Sequence, residues 1–323
     1  MKAVRVTEFS DSTDAMEVVD VEKPEPGPGE VRIEVEAAGI NFADIMQRRG
    51  HYTGGPEPPY VAGLEVAGVV DAVGEGVGRS EGQRVVSMVG IGGYAEYAIG
   101  DATTLLDVPE GMSFEEAAGF PVQFLTAHNC LHEWGGLEEG EDVLIHAAAG
   151  GVGTAAVQIA SEAGARVFGT ASSQEKLDKA VELGCDVPIN YVEEDFVERV
   201  NAETDYGLDL VLDGIGGDTT ERSLDALKEF GRMVSFGAAA GRPGRPPTDK
   251  LLFGNKSVIG YHLGKAAQRK PMKVMSAAQE LSEMLAEGTL EVQVGHTFDL
   301  GAAAEAHEFI EDRQSKGKVV LVP

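Results

Sequence analysis

The sequence predicts an α/β fold in which a doubly wound parallel sheet is inserted into a second, β-rich domain. Residues 1–120 are mainly short alternating or β-branched runs, the pattern of strands. From about residue 143 to residue 262, strand-like and helix-like segments alternate, which is typical of a parallel sheet with helices on both faces. We therefore expect one domain from residues 1–123 and 264–323, and a second from residues 124–263.

The charge balance limits the partners of this chain. Its 323 residues include 54 acidic and only 26 basic side chains, a formal net charge of −28, and the acids are spread along the whole chain. Such a field repels nucleic acid and anionic membrane surfaces, so no nucleic-acid partner is expected. Self-repulsion of this size destabilises a compact chain in dilute buffer and is screened by salt, so the composition predicts a halophilic source.

The sequence also predicts a cytoplasmic protein without a membrane span. It has no run of about 18 apolar residues, and Met1–Val6 alternates like a strand instead of forming the apolar core of a signal peptide. The two cysteines, Cys130 and Cys185, are far apart and belong to no C-x-x-C pair. They are expected to be buried small hydrophobes rather than zinc ligands or a disulfide.

The N-terminal region begins with strands at residues 2–9, 16–21 and 30–38. A helix is predicted next, because Asn41 stands at an N-cap position, Asp44 lies three residues later and Gly50 ends the pattern. Two interpretations are open: the two polar residues are only a cap and a dipole-compensating acid, or they contact a substrate. Further elements are strands at 63–77, 84–89, 94–99 and 104–108 and a short helix at 113–120.

The remaining elements alternate in type. After a helix at residues 121–134, the strands are predicted at 143–146, 166–172, 187–190, 209–214, 232–236 and 257–262. Helices lie between them at 174–183, 192–201 and 219–230. The end of the chain is expected to form a long amphipathic helix at 266–287 and a helix at 301–312 between strands at 292–298 and 318–322.

The centre of the alternating block is the segment 143–160, which has the pattern of a buried strand, a glycine-rich turn and a helix. Ala148, Gly150 and Gly153 occupy the positions of the G-x-G-x-x-G fingerprint, with alanine at the first. Such a turn lets the backbone approach a dinucleotide pyrophosphate at a helix N-terminus, although a tight turn without a ligand explains the same residues. His146, after the buried strand, is predicted to be a packed core residue.

The end of the next strand indicates which dinucleotide fits. NAD sites usually place an acid there, about 20 residues beyond the glycines. Here the strand ends at Ser172 without an acid, and Lys176 follows in the next helix. Hydroxyl groups and a lysine suit the 2′-phosphate of NADPH, so NADPH is expected rather than NADH. The alternative for Lys176 is a solvated helix lysine.

Several motifs, in this order, show which family the chain resembles. They are Ala38-Gly39-Ile40-Asn41-Phe42-Ala43-Asp44, Gly63-Leu64-Glu65-Val66-Ala67-Gly68, Ala148-Ala149-Gly150-Gly151-Val152-Gly153, Gly169-Thr170-Ala171, Asp213-Gly214-Ile215-Gly216-Gly217, Val234-Ser235-Phe236-Gly237 and Gly317-Lys318-Val319-Val320-Leu321. Over essentially the whole chain they resemble the medium-chain dehydrogenase/reductase superfamily, in its zinc-free quinone oxidoreductase (zeta-crystallin-like) branch. Residues 41–44 and 260–264 look closest to the vesicle-amine-transport-protein-like subgroup.

The resemblance implies a GroES-like catalytic domain, a Rossmann domain and a homodimer paired through the Rossmann sheets. Alcohol dehydrogenases of this superfamily hold zinc with a cysteine where Asn41 stands and a histidine where Leu64 stands, so no metal is expected. The residues implied at the substrate end are Asn41, Asp44 and Tyr52. Those implied for the cofactor are Thr126 at the nicotinamide, Ala148, Gly150, Gly151, Val152 and Gly153 at the pyrophosphate, Ser172, Lys176, Tyr191 and Arg313 at the 2′-phosphate, and Phe236 and Gly237 along the cofactor.

The reaction implied by the resemblance is hydride transfer from NADPH to a quinone or a similar conjugated carbonyl. Without zinc, hydrogen bonds from Asn41 and Tyr52 would polarise the substrate oxygen. Two alternatives stay open at this point. One is a reductase of enones, enals or acyl thioesters with the same cofactor, and the other is an NADPH-binding sensor or scaffold with little turnover.

Overall fold

The computed structural model describes residues 1–323. Its strands are β1 Lys2–Val6, β2 Met16–Asp20, β3 Glu30–Ile40, β4 Tyr60–Val61, β5 Glu65–Val73, β6 Arg84–Met88, β7 Tyr97–Asp101, β8 Leu106–Asp107, β9 Asp142–Ile145, β10 Arg166–Ala171, β11 Val187–Asn190, β12 Leu208–Asp213, β13 Leu227–Ser235, β14 Ser257–Gly260, β15 Val294–Asp299 and β16 Lys318–Val322.

The α-helices follow the expected order except for α8, which was not expected, and there are short 3₁₀ turns at Thr13–Ala15 and Leu300–Ala302 and a π-helical turn at Asn129–Glu133. They are α1 Phe42–Arg48, α2 Phe114–Ala118, α3 Pro121–His128, α4 Gly151–Glu162, α5 Gln174–Glu182, α6 Phe196–Glu203, α7 Gly217–Ala226, α8 Thr248–Gly254, α9 Leu263–Arg269, α10 Pro271–Ala286 and α11 Ala303–Glu311.

The chain divides into two compact units. The first unit is Met1–Val122 with Val292–Pro323, and the second unit is Gln123–Glu291. The return to the first unit therefore comes later than the expected boundary at residue 263, and residues 264–291 belong to the second unit.

Contacts of α10 explain this difference. Val274 and Leu281 are buried, and Lys273 of the same helix forms an ion pair with Glu133 in the π-helical turn that follows α3. These contacts attach the helix to the second unit, and its amphipathic pattern does not show which domain covers the apolar face.

The single helix expected at residues 266–287 is two helices. Lys270 leaves the helical conformation, with φ −136 and ψ 51, and Pro271 starts α10 at its first position. Proline has no N–H to continue α9 and disfavours the helical conformation in the residue before it, so the chain breaks at this point.

The first unit is β-rich. A seven-stranded sheet has the order β15-β16-β3-β5-β6-β8, with β7 also on β3, and a three-stranded sheet has the order β2-β1-β4. The long strand β3 brings the site together, because its carboxyl end lies between β5 and β16. Gly39 is paired with Glu65 on one side and with Val320 on the other.

The second unit contains a six-stranded sheet in the order β11-β10-β9-β12-β13-β14, with all strands parallel. Counted from β9, this is the 3-2-1-4-5-6 order of dinucleotide-binding doubly wound sheets. Leu144, Phe168 and Val211 are in the core of this sheet. The predicted fold class, a doubly wound sheet inserted into a β-rich domain, is confirmed.

Candidate active site

The glycine turn connects β9 to α4 at the carboxyl edge of the parallel sheet. Gly150 is the N-cap residue of α4, and no side chain caps this end of the helix. Ala147 has φ 53, a left-handed conformation that costs about 1 kcal/mol for a residue with a Cβ. The backbone N–H of Ala148 donates to the Thr170 carbonyl at 3.0 Å, so the turn is attached to β10.

Two glycines of the turn lie in close contacts, and at Gly153 the neighbouring atoms are backbone that cannot move aside. A Cβ on Gly153 would lie 2.1 Å from the Ala147 carbonyl oxygen, and one on Gly151 would lie 1.8 Å from Gln123 Nε2. The helix N-terminus is thus packed closely against the turn, with its first N–H groups not used by a capping side chain. This geometry fits an anionic pyrophosphate, because free N–H groups and the positive end of the helix dipole both favour it.

The carboxyl ends of β10 and β11 lie side by side. Ser172 follows β10 directly and is half-buried, and the first acidic residue after the strand is Glu175, in α5. Lys176 lies in the first turn of that helix. Tyr191 follows β11 and donates its backbone N–H to the Ala171 carbonyl at 3.2 Å. The structure therefore brings Ser172 and Tyr191 to one edge of the sheet.

The other cofactor candidates are distributed over several elements. Phe236 and Gly237 follow β13, and a Cβ on Gly214 would lie 2.8 Å from the Phe236 ring. Thr126 is buried in α3, in the second unit. Arg313 follows α11 and belongs to the first unit, in contrast to the remaining cofactor candidates.

Asn41 lies at the centre of a buried polar cluster in the first unit. Its Nδ2 donates to Glu65 Oε1 at 2.8 Å, and its Oδ1 accepts from Lys318 Nζ at 2.9 Å. Lys318 Nζ also pairs with Glu65 Oε1 at 2.5 Å. Glu65 Oε2 accepts from the Val122 backbone N–H at 2.8 Å. Both amide atoms therefore have charged partners, which determine how the amide is oriented.

The cluster leaves one amide hydrogen of Asn41 weakly used. Besides the bond to Glu65, its Nδ2 contacts only the Gly39 carbonyl at 3.5 Å, a long distance for a hydrogen bond. Asn41 is the N-cap residue of α1 and forms a capping box with Asp44. A capping box uses the side-chain oxygen of the N-cap residue as acceptor, so the Asn41 Nδ2 stays an oriented donor group.

Asp44 provides the other half of this capping box. Its Oδ2 accepts from the Asn41 backbone N–H at 2.8 Å, while its Oδ1 is buried without a hydrogen-bond partner. Burial raises the pKa of Asp44 to about 7, although the Asn41 N–H and the Lys318 charge oppose the shift. The carboxyl group is therefore half protonated near neutral pH.

Tyr52 lies in the loop after α1 and is partly buried. Burial raises the pKa of its phenol, and the charge of Asp44 adds to the shift. The hydroxyl is therefore protonated at neutral pH and able to donate a hydrogen bond.

The sequence-based interpretation did not assign roles to Glu65, Lys318, Tyr94 and His307. Tyr94 Oη and His307 Nε2 are 3.2 Å apart, and both side chains are buried. Burial, with a contribution from Asp44, raises the pKa of Tyr94 well above 10.0. A charged residue at the start of an otherwise apolar strand is the sequence feature that could have identified Glu65 and Lys318, since buried charges need partners.

The structure shows neither a membrane-spanning helix nor a cluster of metal-ligating side chains. No helix is both long and apolar enough to cross a bilayer. The structure brings together no group of three or more histidine, cysteine, aspartate or glutamate side chains that could hold a metal ion.

Two family models match this chain in succession. The alcohol dehydrogenase GroES-like domain matches residues 27–110, within the first unit. The zinc-binding dehydrogenase model matches residues 151–282, within the second unit.

Curated relatives match over nearly the full chain. A synaptic vesicle membrane protein VAT-1 homolog of Danio rerio is 36% identical over 317 residues, 93% of this chain and 65% of the longer fish protein. A 2-haloacrylate reductase of a Burkholderia species is 36% identical over 94% of both chains. A quinone oxidoreductase of Pseudomonas aeruginosa is 37% identical over 96% of both chains.

A solved structure of a related enzyme matches the whole chain. The quinone oxidoreductase of Escherichia coli, in complex with NADPH, superposes with a TM-score of 0.94 over 100% of both chains, at 33% identity. Together with the sheet order and the two matched domains, this shows that the chain belongs to the medium-chain dehydrogenase/reductase superfamily of oxidoreductases, in its quinone oxidoreductase and VAT-1-like branch.

Proposed function

We propose that this protein is a zinc-independent, NADPH-dependent reductase of quinones or similar conjugated carbonyls. The second unit holds the cofactor, and the first unit provides the groups that bind the acceptor. One observation carries the proposal: the N-terminus of α4 has no side-chain cap, and no acidic residue lies at the carboxyl end of the neighbouring strand β10. Bound NADPH supplies a hydride from its nicotinamide.

The residues proposed for the cofactor fit a phosphorylated dinucleotide. The turn from Ala148 to Gly153 receives the pyrophosphate, and Ser172, Lys176 and Tyr191 receive the 2′-phosphate. An acid at the strand end would bind the ribose hydroxyls of NAD and repel this phosphate. The relative from Escherichia coli, which was solved with NADPH, supports the choice. Thr126, Phe236 and Gly237 are proposed to contact the rest of the cofactor, and Arg313 to add to the phosphate site.

The residues proposed for the acceptor act through hydrogen bonds. The remaining N–H of Asn41 and the Tyr52 hydroxyl donate to the carbonyl oxygen, where negative charge develops as hydride arrives. Glu65 and Lys318 keep the Asn41 amide in the donating orientation. The Tyr52 hydroxyl is also the group of this site that can pass a proton to the reduced oxygen.

Zinc independence is supported by electrostatics. Asn41 and Leu64 stand where zinc-dependent relatives have ligands, and the Lys318 ammonium lies 2.9 Å from Asn41 Oδ1. A buried cation at this distance disfavours a second, divalent cation. Incubation with a strong zinc chelator should leave turnover unchanged, and metal analysis of the purified protein should find less than about one zinc per ten chains. Loss of activity that added zinc restores would contradict the proposal.

Lys176→Ala tests the cofactor assignment. The variant should weaken NADPH binding about tenfold and NADH binding less than twofold, since only NADPH carries the 2′-phosphate. Binding is measured by quenching of protein fluorescence, without an acceptor. The matched control is Lys179→Ala, in the same helix and paired with Glu182, which should leave both affinities unchanged. Equal losses for NADPH and NADH would refute the assignment.

A panel of acceptors tests the reaction. Stopped-flow oxidation of NADPH should be fast with 9,10-phenanthrenequinone and slower with trans-2-enals. The 36% identity with a 2-haloacrylate reductase favours one second candidate, a reductase of polarised carbon–carbon double bonds. Faster turnover of a 2-haloacrylate or an enal than of any quinone would select that candidate. Tight NADPH binding without oxidation by any acceptor would indicate a sensor or scaffold.

We also propose that two copies pair through the sheets of their second units. β14 is an edge strand of the six-stranded sheet, and Leu252 and Phe253 in the preceding helix are strongly exposed. An unpaired edge next to exposed apolar side chains favours association with another copy. Light scattering coupled to size exclusion should give twice the chain mass, and a monomer at micromolar concentration would contradict this.

A further inference from the structure

His146 connects three elements beneath the glycine turn. It follows β9, immediately before Ala147. Its Nδ1 lies 3.0 Å from Thr170 Oγ1 of β10, and its Nε2 lies 2.8 Å from Ser223 Oγ of α7. The ring is buried and meets Phe196 edge-on, with the centroids 5.1 Å apart. The expected packed core residue is therefore fully hydrogen-bonded.

The hydrogen bonds determine which ring nitrogen carries the proton. Ser223 Oγ donates its only hydrogen to the Thr219 carbonyl at 2.7 Å, so it can only accept from His146. Nε2 must then carry the hydrogen, and Nδ1 accepts one from the Thr170 hydroxyl. Burial lowers the pKa of His146 to about 4, although Asp213 opposes this shift and Arg222 adds to it. The ring is thus neutral at pH 7, as this bonding requires.

The contacts of His146 extend to both halves of the proposed cofactor site. Thr170 lies two residues before Ser172, and its carbonyl accepts from Ala148 of the turn at 3.0 Å. Ser223 lies on the same helix as Thr220, whose hydroxyl donates to Asp213 Oδ2 at 2.5 Å. The other oxygen of that carboxylate accepts from the N–H groups of residues 215 and 216, both at 2.9 Å. Two hydrogen-bonded groups, one around His146 and one around Asp213, are therefore both attached to α7 beneath the sheet edge.

The geometry points to His146 as a positioning residue, which holds the pyrophosphate turn in register with the strand end that binds the 2′-phosphate. The strained Ala147 supports this role, because a left-handed non-glycine residue persists only where its surroundings determine it. This inference rests on the proposed function, because it takes NADPH to be the ligand at the carboxyl edge of the parallel sheet. His146 itself touches no reacting atom.

Variants of the two partners test the inference while the imidazole is retained. Thr170→Val removes the donor to Nδ1, and Ser223→Ala removes the acceptor of Nε2–H. Each should raise the Kd for NADPH about fivefold, while kcat at saturating NADPH stays within about twofold. Thr170→Ser, which keeps the hydroxyl, should restore wild-type affinity.

The matched control is Thr204→Val in the same unit. Its hydroxyl donates to the Val200 carbonyl at 2.9 Å and accepts from the Gly207 N–H at 3.0 Å, near the opposite end of β12. This variant should lose comparable stability and keep its NADPH affinity. An equal loss of affinity in Thr170→Val and Thr204→Val would show a general effect of destabilisation and overturn the inference. An unchanged Kd in folded Thr170→Val would also overturn it, and so would a fall in kcat at unchanged Kd.

A spectroscopic measurement on the wild-type protein is independent of whether the variants fold. Imidazole ¹⁵N shifts should identify His146 as neutral with the proton on Nε2 at pH 7. A proton on Nδ1, or a charged ring, would overturn the inference. Because affinity is read by fluorescence without an acceptor, a protein that binds NADPH but reduces no quinone would refute the proposed reaction and leave this inference intact.

Discussion

At the scale of single residues, the main feature is buried charge around Asn41. Lys318 and Glu65 are both 0% exposed and pair with each other. Gly39 makes room for them, since a Cβ there would lie 2.7 Å from both Glu65 Oε1 and Lys318 Cε. A buried ion pair adds little net stability compared with apolar residues of the same volume, but removing one partner leaves an uncompensated charge. The pair therefore orients Asn41 and makes the unit sensitive to single substitutions.

Lys318→Met should destabilise the protein by about 3–5 kcal/mol, because it leaves Glu65 charged and buried. Adding Glu65→Gln should recover part of the loss. Urea unfolding in high salt measures both. The control is Lys179→Met, which breaks an exposed pair with Glu182 and should cost less than about 0.5 kcal/mol. A Lys318→Met effect as small as the control would mean that the pair is not buried in solution.

Asp44 should make stability depend on pH. The pKa of Asp44 is about 7 in the folded protein, compared with 3.8 for an ordinary aspartate. Between pH 4 and pH 7 the folded protein therefore keeps a proton on Asp44 that the unfolded chain has released. The free energy of unfolding consequently has its full contribution from Asp44 below pH 4 and loses it as the pH rises to 7. Asp44→Asn carries no such charge, so its stability relative to wild type should rise by about 3 kcal/mol between pH 4 and pH 7.

Urea unfolding at a series of pH values in constant high salt measures this difference. The exposed Asp205→Asn is the matched control and should follow the wild-type pH profile. Parallel profiles for Asp44→Asn and wild type would show that Asp44 is ionised or hydrated in the folded protein.

At the scale of elements, the glycine turn depends on the contact between α4 and the end of β9. Gly153 is the position where this contact is tightest, since its missing Cβ would meet backbone atoms of Ala147 and Ala148. Backbone cannot move away as a flexible side chain can, so a larger residue must push the helix outwards. The N–H groups proposed to bind the pyrophosphate would move with it.

Gly153→Ala should lower stability by about 1–3 kcal/mol and weaken NADPH binding at least tenfold. Thermal unfolding and fluorescence titration measure the two effects. Gly78→Ala is the control, because a Cβ there meets nothing within 4 Å and should change neither quantity. Wild-type affinity in Gly153→Ala would show that the cofactor does not use this turn.

At the scale of the whole molecule, the net charge of −28 is the dominant property. Most of the acids have no basic residue to pair with, since they outnumber basic residues 54 to 26. Mutual repulsion at low ionic strength opposes the compact state, and a Debye length of about 10 Å at 0.1 M salt leaves neighbouring acids unscreened. We propose an adaptation to high salt.

The melting temperature should rise by at least about 10 °C between 0.1 M and 2 M KCl. Differential scanning calorimetry of the cofactor-free protein measures it. Equal melting temperatures in both buffers would contradict the adaptation.

The alternation of strands and helices after residue 143 was sufficient to predict the doubly wound sheet, because helical and strand periodicity are local properties of the chain. The end of the inserted unit was not predictable in the same way. α10 is amphipathic, and its apolar face fits any apolar surface, so only the contacts with the second unit decide where it belongs.

The sequence by itself determined the fold class, the glycine turn and the absence of an acidic residue at the end of β10, since each of these depends on residues that are close together along the chain. Only the tertiary structure decided what Asn41 does. Its partners are Glu65, 24 residues away, and Lys318, 277 residues away. A buried charge must find a partner wherever the fold places one, and periodicity along the chain carries no record of that pairing.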